Sequence, residues 1–168
     1  MFVENTAFTG IKWLNSYKEE IRKIKDHSPL LSVLCISAGI EFLGKLLCDE
    51  PLDSKTKCEE KFNKALSTFA SLNKYDDKDL YHLIRCGLAH RISVKEGIIL
   101  DPSHESQLED SVPIRINPNR FFEDFEKAVE EAQEKKDWPN SAATDEYVTV
   151  TTNAETGTTV TIINYLSL

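Results

Sequence analysis

Leu30-Leu-Ser-Val-Leu-Cys35-Ile-Ser-Ala-Gly-Ile40-Glu-Phe-Leu-Gly-Lys45-Leu-Leu-Cys48 is apolar almost all the way round a helical wheel. A helix reads this way when neighbours cover every face, so this stretch predicts the central helix of a bundle. Its length would just reach across a bilayer, but Glu41 and Lys45 near its end and Ser32 and Ser37 within it argue against a membrane span. Gly39 and Gly44 read as seats for close neighbouring helices, and Glu41 and Lys45 as a structural ion pair at the bundle's edge. Glu41 has a second reading, as the group that orients Arg85.

Working outward, Ile11, Leu14, Tyr17, Ile21 and Ile24 recur at helical steps and predict a preceding amphipathic helix, interrupted by His27-Ser28-Pro29. Thr56-Lys-Cys-Glu59 has the capping-box form and introduces Phe62, Ala65, Leu66 and Phe69. Asp76 or Asp77 is placed to cap a fourth helix with Leu80, Leu83, Ile84 and Leu88 inside, ending near Arg91. Ile92 to Leu100 and Val112 to Ile116 are β-branched stretches expected to pair as a hairpin across Asp101 to Ser111. Asn117-Pro118 starts a fifth helix with Phe121, Phe122, Phe125, Ala128, Val129 and Ala132 inside, ending near Trp138-Pro139. A small polar linker, Asn140 to Thr144, then leads to threonine-rich strands, Tyr147 to Thr152 and Thr158 to Tyr165. The expected architecture is mainly α: an antiparallel four-helix bundle plus an extra helix, a small inner hairpin at about 92–116, and a C-terminal β ribbon. Residues 1–138 form the helical domain and 139–168 the linker and ribbon.

The chain has 168 residues with 20 Lys and Arg against 28 Asp and Glu, a formal charge of −8. That balance opposes a broad nucleic-acid-wrapping surface and leaves room only for a local basic site. Met1 to Gly10 carry no cation ahead of an apolar run, so neither a secretory signal nor a transit peptide is expected. Cys35, Cys48, Cys58 and Cys86 form no C-x-x-C pair and read as reduced cytoplasmic thiols. No cofactor and no metal are expected: Asp76, Asp77 and Asp79 sit where a helix start favours acids anyway, and no Gly-rich phosphate loop, nucleophile elbow or zincin motif occurs.

The chemistry lies in Leu80-Tyr-His-Leu-Ile-Arg85-Cys-Gly-Leu-Ala-His90-Arg91. Cations are favoured at a helix C-terminus by its dipole, which accounts for His90 and Arg91 without any function. The spacing from Arg85 to His90 also arises readily by chance in a chain with five Arg and four His. Context is more specific: the pair ends a helix that follows a bundle, with Gly87 between the two residues. Here the sequence resembles the HEPN family of four-helix-bundle domains, whose signature is Arg, four to six residues, then His near the end of the last core helix. Arg85 and His90 match those positions, and the resemblance spans roughly Ile11 to Ala132. Many members carry a polar residue directly after the Arg; Cys86 departs from that pattern.

The resemblance implies a metal-independent endoribonuclease, often a toxin or defence effector with a possible antitoxin or other protein partner. Other members are inactive nucleotide- or protein-binding dimerisation modules. Histidine suits proton transfer near neutral pH, and arginine's planar fork suits charge on a phosphate. Residues five apart on an α-helix point about 140° apart and about 7.5 Å along the axis, so one helix aims the pair poorly at one phosphate. A homodimer with its two-fold axis at the helix ends lets each Arg85 face the partner copy's His90, with Tyr81, Cys86 and Gly87 in the cleft. Arg91, Lys95 and His82 are candidates for holding RNA, with ordinary surface roles as the alternative; His27 and His104 are poor candidates. A third reading is an interaction protein whose C-terminal ribbon pairs with another chain's sheet edge.

Overall fold

A computed structural model describes residues 10–48, 57–76, 78–91, 97–108, 113–135, 146–153 and 157–164. Thr56, Asp77, Ile92 to Lys95, Val112 and the Asn140 to Thr144 linker lie outside the described residues. The protein is mainly helical. Helix α1 covers Gly10–Ile24, α2 Pro29–Leu47, α3 Cys58–Thr68, α4 Gly87–Arg91 and α5 Pro118–Glu134.

Helix α2 is the hub, packing on α1, α3, α5 and the segment that precedes α4. Ser32, Val33, Ile36, Ser37, Gly39, Ile40, Leu43, Gly44 and Leu46 are all buried, which is the all-round coverage its sequence predicts. It is the one helix among the described residues long and apolar enough to cross a bilayer, and half of that stretch is buried by the protein itself. Its serines fit the core because the Ser37 hydroxyl donates to the Val33 carbonyl at 2.8 Å and Ser32 to Pro29 at 2.8 Å. The glycines admit neighbours. A Cβ on Gly44 would stand 1.6 Å from the Lys61 carbonyl oxygen of α3, and one on Gly39 would stand 2.5 Å from the Phe125 ring of α5.

On α1, Leu14 and Ile21 are buried, while Trp13 stacks on Tyr17 at 4.8 Å and leans on Phe42 of α2 at 4.8 Å. The Tyr17 hydroxyl donates to the Cys35 carbonyl at 2.9 Å. Helix α5 buries the expected Phe121, Phe122, Phe125, Ala128, Val129 and Ala132. Asn117 caps it, accepting from the amides of Asn119 and Arg120 at 2.9 and 3.3 Å, with Pro118 in the first turn.

Three expectations are corrected. The helix α3 starts at Cys58, so its cap position is Lys57, which makes no side-chain capping bond. The fourth helix does not run from Asp76. A 3₁₀ turn at Asn73–Tyr75 comes first, and Asp79 has a left-handed backbone (φ 48°) that an aspartate tolerates. The chain then winds as a π-helix over Tyr81–Cys86 before α4. Finally, β1 (Ile98–Leu100) and β2 (Ile114–Ile116) pair in parallel, with Ile98 opposite Ile114 and Leu100 opposite Ile116, and form no hairpin. Asp101 turns the chain at once by accepting from the Ser103 amide at 2.9 Å, and Gln107 returns on the other edge of β2, exchanging bonds of 2.8 and 3.0 Å with Arg115. Arg115 thus has Gln107 as its antiparallel neighbour, while the connection from β1 to β2 is the crossover that parallel strands require. Strands β3 (Glu146–Asn153) and β4 (Gly157–Asn164) form an antiparallel ribbon in register from Glu146–Asn164 to Asn153–Gly157.

Candidate functional site

Arg85 sits near the end of the π-helical turn. An i→i+5 turn holds one residue more than an α turn, so Arg85 swings toward the side on which Leu80 is buried. There its Nε donates to Glu41 Oε2 of α2 at 3.0 Å, with the two side chains 26% and 19% exposed. The bond runs through Nε, and among the described residues the terminal nitrogens of the fork make no other bond and remain donors. Glu41 is thus bonded to Arg85, the contact that the second of its two readings requires. The Cys58 thiol at the start of α3 also hydrogen-bonds Glu41; that bond, then burial, raises the thiol's pKa.

Arg85 and Glu41 line a cavity of about 240 Å³ together with Ala38, Phe42, Lys45 and Lys61. Three lining side chains are basic and one is acidic, in a protein whose net charge is −8. Lys45 Nζ stands 5.8 Å from the Phe42 ring centre. Lys61 is 8% exposed, because the backbone of α3 at this residue lies directly against Gly44.

The other sequence candidates are distributed as follows. Tyr81 packs edge-on to Phe62 at 5.7 Å. Its hydroxyl pairs with Cys86, and its pKa is pushed up to about 12 by burial first and then by the neighbouring thiols and Glu41. His82 turns away toward the start of α3: its Nδ1 is 2.8 Å from Asp79 Oδ1 and 3.7 Å from Glu59 Oε1. Ligand atoms of these three residues lie within 4.8 Å of one another, a grouping able to meet a cation, though the Asp79–His82 hydrogen bond also closes the first turn of the π-helix. Gly87 is buried within the chain. His90 and Arg91 belong to the last turn of α4, and their side chains lie outside the described residues, as does Lys95 altogether.

Sequence reasoning missed Lys61 and Cys58. Nothing at the level of residue type marks Lys61, one of three lysines between Lys57 and Lys64; only the seat at Gly44 brings it inside. No family model, curated protein or solved structure matches the chain.

Proposed function

We propose that this chain is a HEPN-like, metal-independent endoribonuclease that acts as a homodimer, with Arg85 and His90 as its catalytic residues. The observation that carries the reading is the Arg85–Glu41 bond through Nε, which fixes the guanidinium while leaving its outer nitrogens for a phosphate. In the proposed reaction the RNA 2′-hydroxyl loses a proton and its oxygen attacks the adjacent phosphorus. The bond from phosphorus to the 5′-oxygen breaks, and that oxygen takes up a proton. Arg85 stabilises charge on the five-coordinate phosphorus, and His90 carries one of the protons. Glu41 is a positioning residue. In this reading the partner copy supplies the His90 that faces Arg85.

The test is cleavage of single-stranded RNA by the full chain in excess chelator. Activity is expected to persist, to leave a 2′,3′-cyclic phosphate and a 5′-hydroxyl, and to fall by at least about 100-fold in Arg85→Ala and in His90→Ala. Full activity in both variants removes the site.

A second reading has its own support. The Cys86 thiol, directly after Arg85, is a weak donor already engaged with Tyr81. A HEPN-like dimer that binds a nucleotide or a protein without turnover fits that chemistry. Stoichiometric RNA binding with no cleavage would select it.

A further inference from the structure

Two of the four histidines pair with an aspartate three residues earlier, and the two pairs differ in what stands beside them. His104 Nδ1 is 2.9 Å from Asp101 Oδ2, and that oxygen also accepts from the Arg115 guanidinium. This triad contains its own cation. His82 Nδ1 is 2.8 Å from Asp79 Oδ1, but here the third group is a second carboxylate, Glu59, whose Oε1 is 3.7 Å from the same nitrogen. A proton on Nδ1 serves Asp79 and is out of hydrogen-bond reach of Glu59. The three donor atoms nevertheless lie within 4.8 Å of one another. Glu59 comes from the first turn of α3 and His82 from the π-helical turn, where the Tyr81 ring stands edge-on to the imidazole at 5.4 Å.

We propose that Glu59, Asp79 and His82 form a site for a first-row divalent transition metal, Zn²⁺ foremost, which clamps α3 to the π-helical turn. The spacing suits that ion. Bonds of about 2.0–2.2 Å set tetrahedral donors about 3.3–3.6 Å apart, and the separations of 2.8 and 3.7 Å at Nδ1 bracket that range. The imidazole selects the class, because Mg²⁺ and Ca²⁺ take oxygen donors whereas Zn²⁺ and its neighbours also take nitrogen. Two carboxylates match the double charge. The side chains of His82, Glu59 and Asp79 are 42%, 40% and 65% exposed, so the ion enters from solvent and water completes its coordination. On binding, Nδ1 gives up its proton, to Nε2 or to solvent, and offers its lone pair to the metal in place of the hydrogen bond to Asp79. Neither Arg85 nor His90 is a ligand, so the site is independent of the ribonuclease reading and of its metal-free chemistry.

The experiment adds Zn²⁺, Mg²⁺ or Co²⁺ to the full chain after treatment with chelator, and reads calorimetry, thermal unfolding and absorption. One Zn²⁺ per chain is expected to bind and to raise the Tm, and Mg²⁺ at the same concentration to do neither. Co²⁺ is expected to give visible bands without the near-ultraviolet charge-transfer band of a thiolate ligand. His82→Ala and Glu59→Gln are each expected to weaken Zn²⁺ binding at least about 10-fold, since loss of even an outer-shell partner costs about 10–100-fold. His104→Ala, at the triad that contains Arg115, is expected to leave the affinity unchanged. No Zn²⁺ binding, equal affinity for Mg²⁺, or a thiolate band with Co²⁺ overturns the proposal. Binding that His82→Ala and Glu59→Gln both retain marks an adventitious ion only and overturns it too, as does a lower metal-free Tm in His82→Ala with affinity intact, which assigns His82 a structural role. Zn²⁺ binding at these residues by a protein that never cuts RNA keeps this site and removes the ribonuclease. Cleavage in chelator by a protein that binds no Zn²⁺ does the reverse.

Discussion

Two polar clusters inside the bundle are built on opposite plans. Beside α5, the buried Tyr75 hydroxyl donates to Asp124 Oδ2 at 2.7 Å, and Lys74 Nζ reaches the same oxygen at 2.7 Å. Burial and then the Asp124 charge push the Tyr75 hydroxyl far above its ordinary pKa, so it stays a donor throughout the accessible range. Donor, acceptor and counter-charge are all present. Between α2, α3 and the π-helical turn, Glu41 is matched by Arg85 at 3.0 Å, and their side chains remain 19% and 26% exposed. The first cluster is closed on itself, whereas the second keeps a partly exposed guanidinium that solvent or a substrate can reach.

The strongest way to break this contrast is to move α3 off α2. Gly44→Ala places a methyl 1.6 Å from a backbone oxygen that cannot rotate away. We expect a loss of about 3 kcal/mol in urea unfolding, at the top of the usual overpacking range, despite alanine's better helix propensity. Gly39→Ala should cost less, since its obstacle is a ring that can tilt. Glu41→Gln comes next. Removing the acceptor charge of a partly buried, charge-assisted bond is expected to cost about 1–2 kcal/mol and to release Arg85, lowering RNA cleavage more than RNA binding. Unchanged cleavage would show that Arg85 is positioned without it.

Tyr75→Phe tests the closed cluster. Lys74 still pairs with Asp124, so the expected cost is about 1 kcal/mol with no effect on RNA cleavage. The smallest effect concerns Asp101, at the turn after β1. Hydrogen bonds from Ser103, and then from His104 and Arg115, hold its carboxyl well below the usual carboxylate range. Its folded pKa is therefore depressed: the stabilisation is fully present above the unfolded value near about 4 and is lost as the pH falls further. Denaturation midpoints measured from neutral pH down to about pH 2 should fall less steeply in Asp101→Asn than in the parent chain. Parallel curves would mean that the turn is not coupled to folding.

Much of the helical frame was legible in the sequence. The all-round apolarity of α2 announced a hub, Gly39 and Gly44 announced close neighbours, and Asn117-Pro118 announced the start of α5. The rest was hidden for particular reasons. Strands of three residues, Ile98–Leu100 and Ile114–Ile116, carry no information about direction; the turn chemistry of Asp101 and the bridge at Gln107 decide it. Leu80, Ile84 and Leu88 have an α-helical spacing, and all three are buried, so the pattern gives no hint of the extra residue in the turn. At the candidate site, Arg85 is marked by its place with His90 at the end of a helix that follows the bundle, and Glu41 by its second reading as the group that orients Arg85. Lys61 was silent because a lysine's burial depends on its neighbours in space.

That extra residue also makes the segment unusually tolerant of a change in chain length. Deleting one amino acid between Leu80 and Gly87 would let the turn relax to ordinary α winding while α4 keeps its orientation, because the wide turn is itself a one-residue insertion. Only side chains within the turn would be re-aimed. A single-codon loss here is therefore less disruptive to the frame than the same loss in the middle of α2.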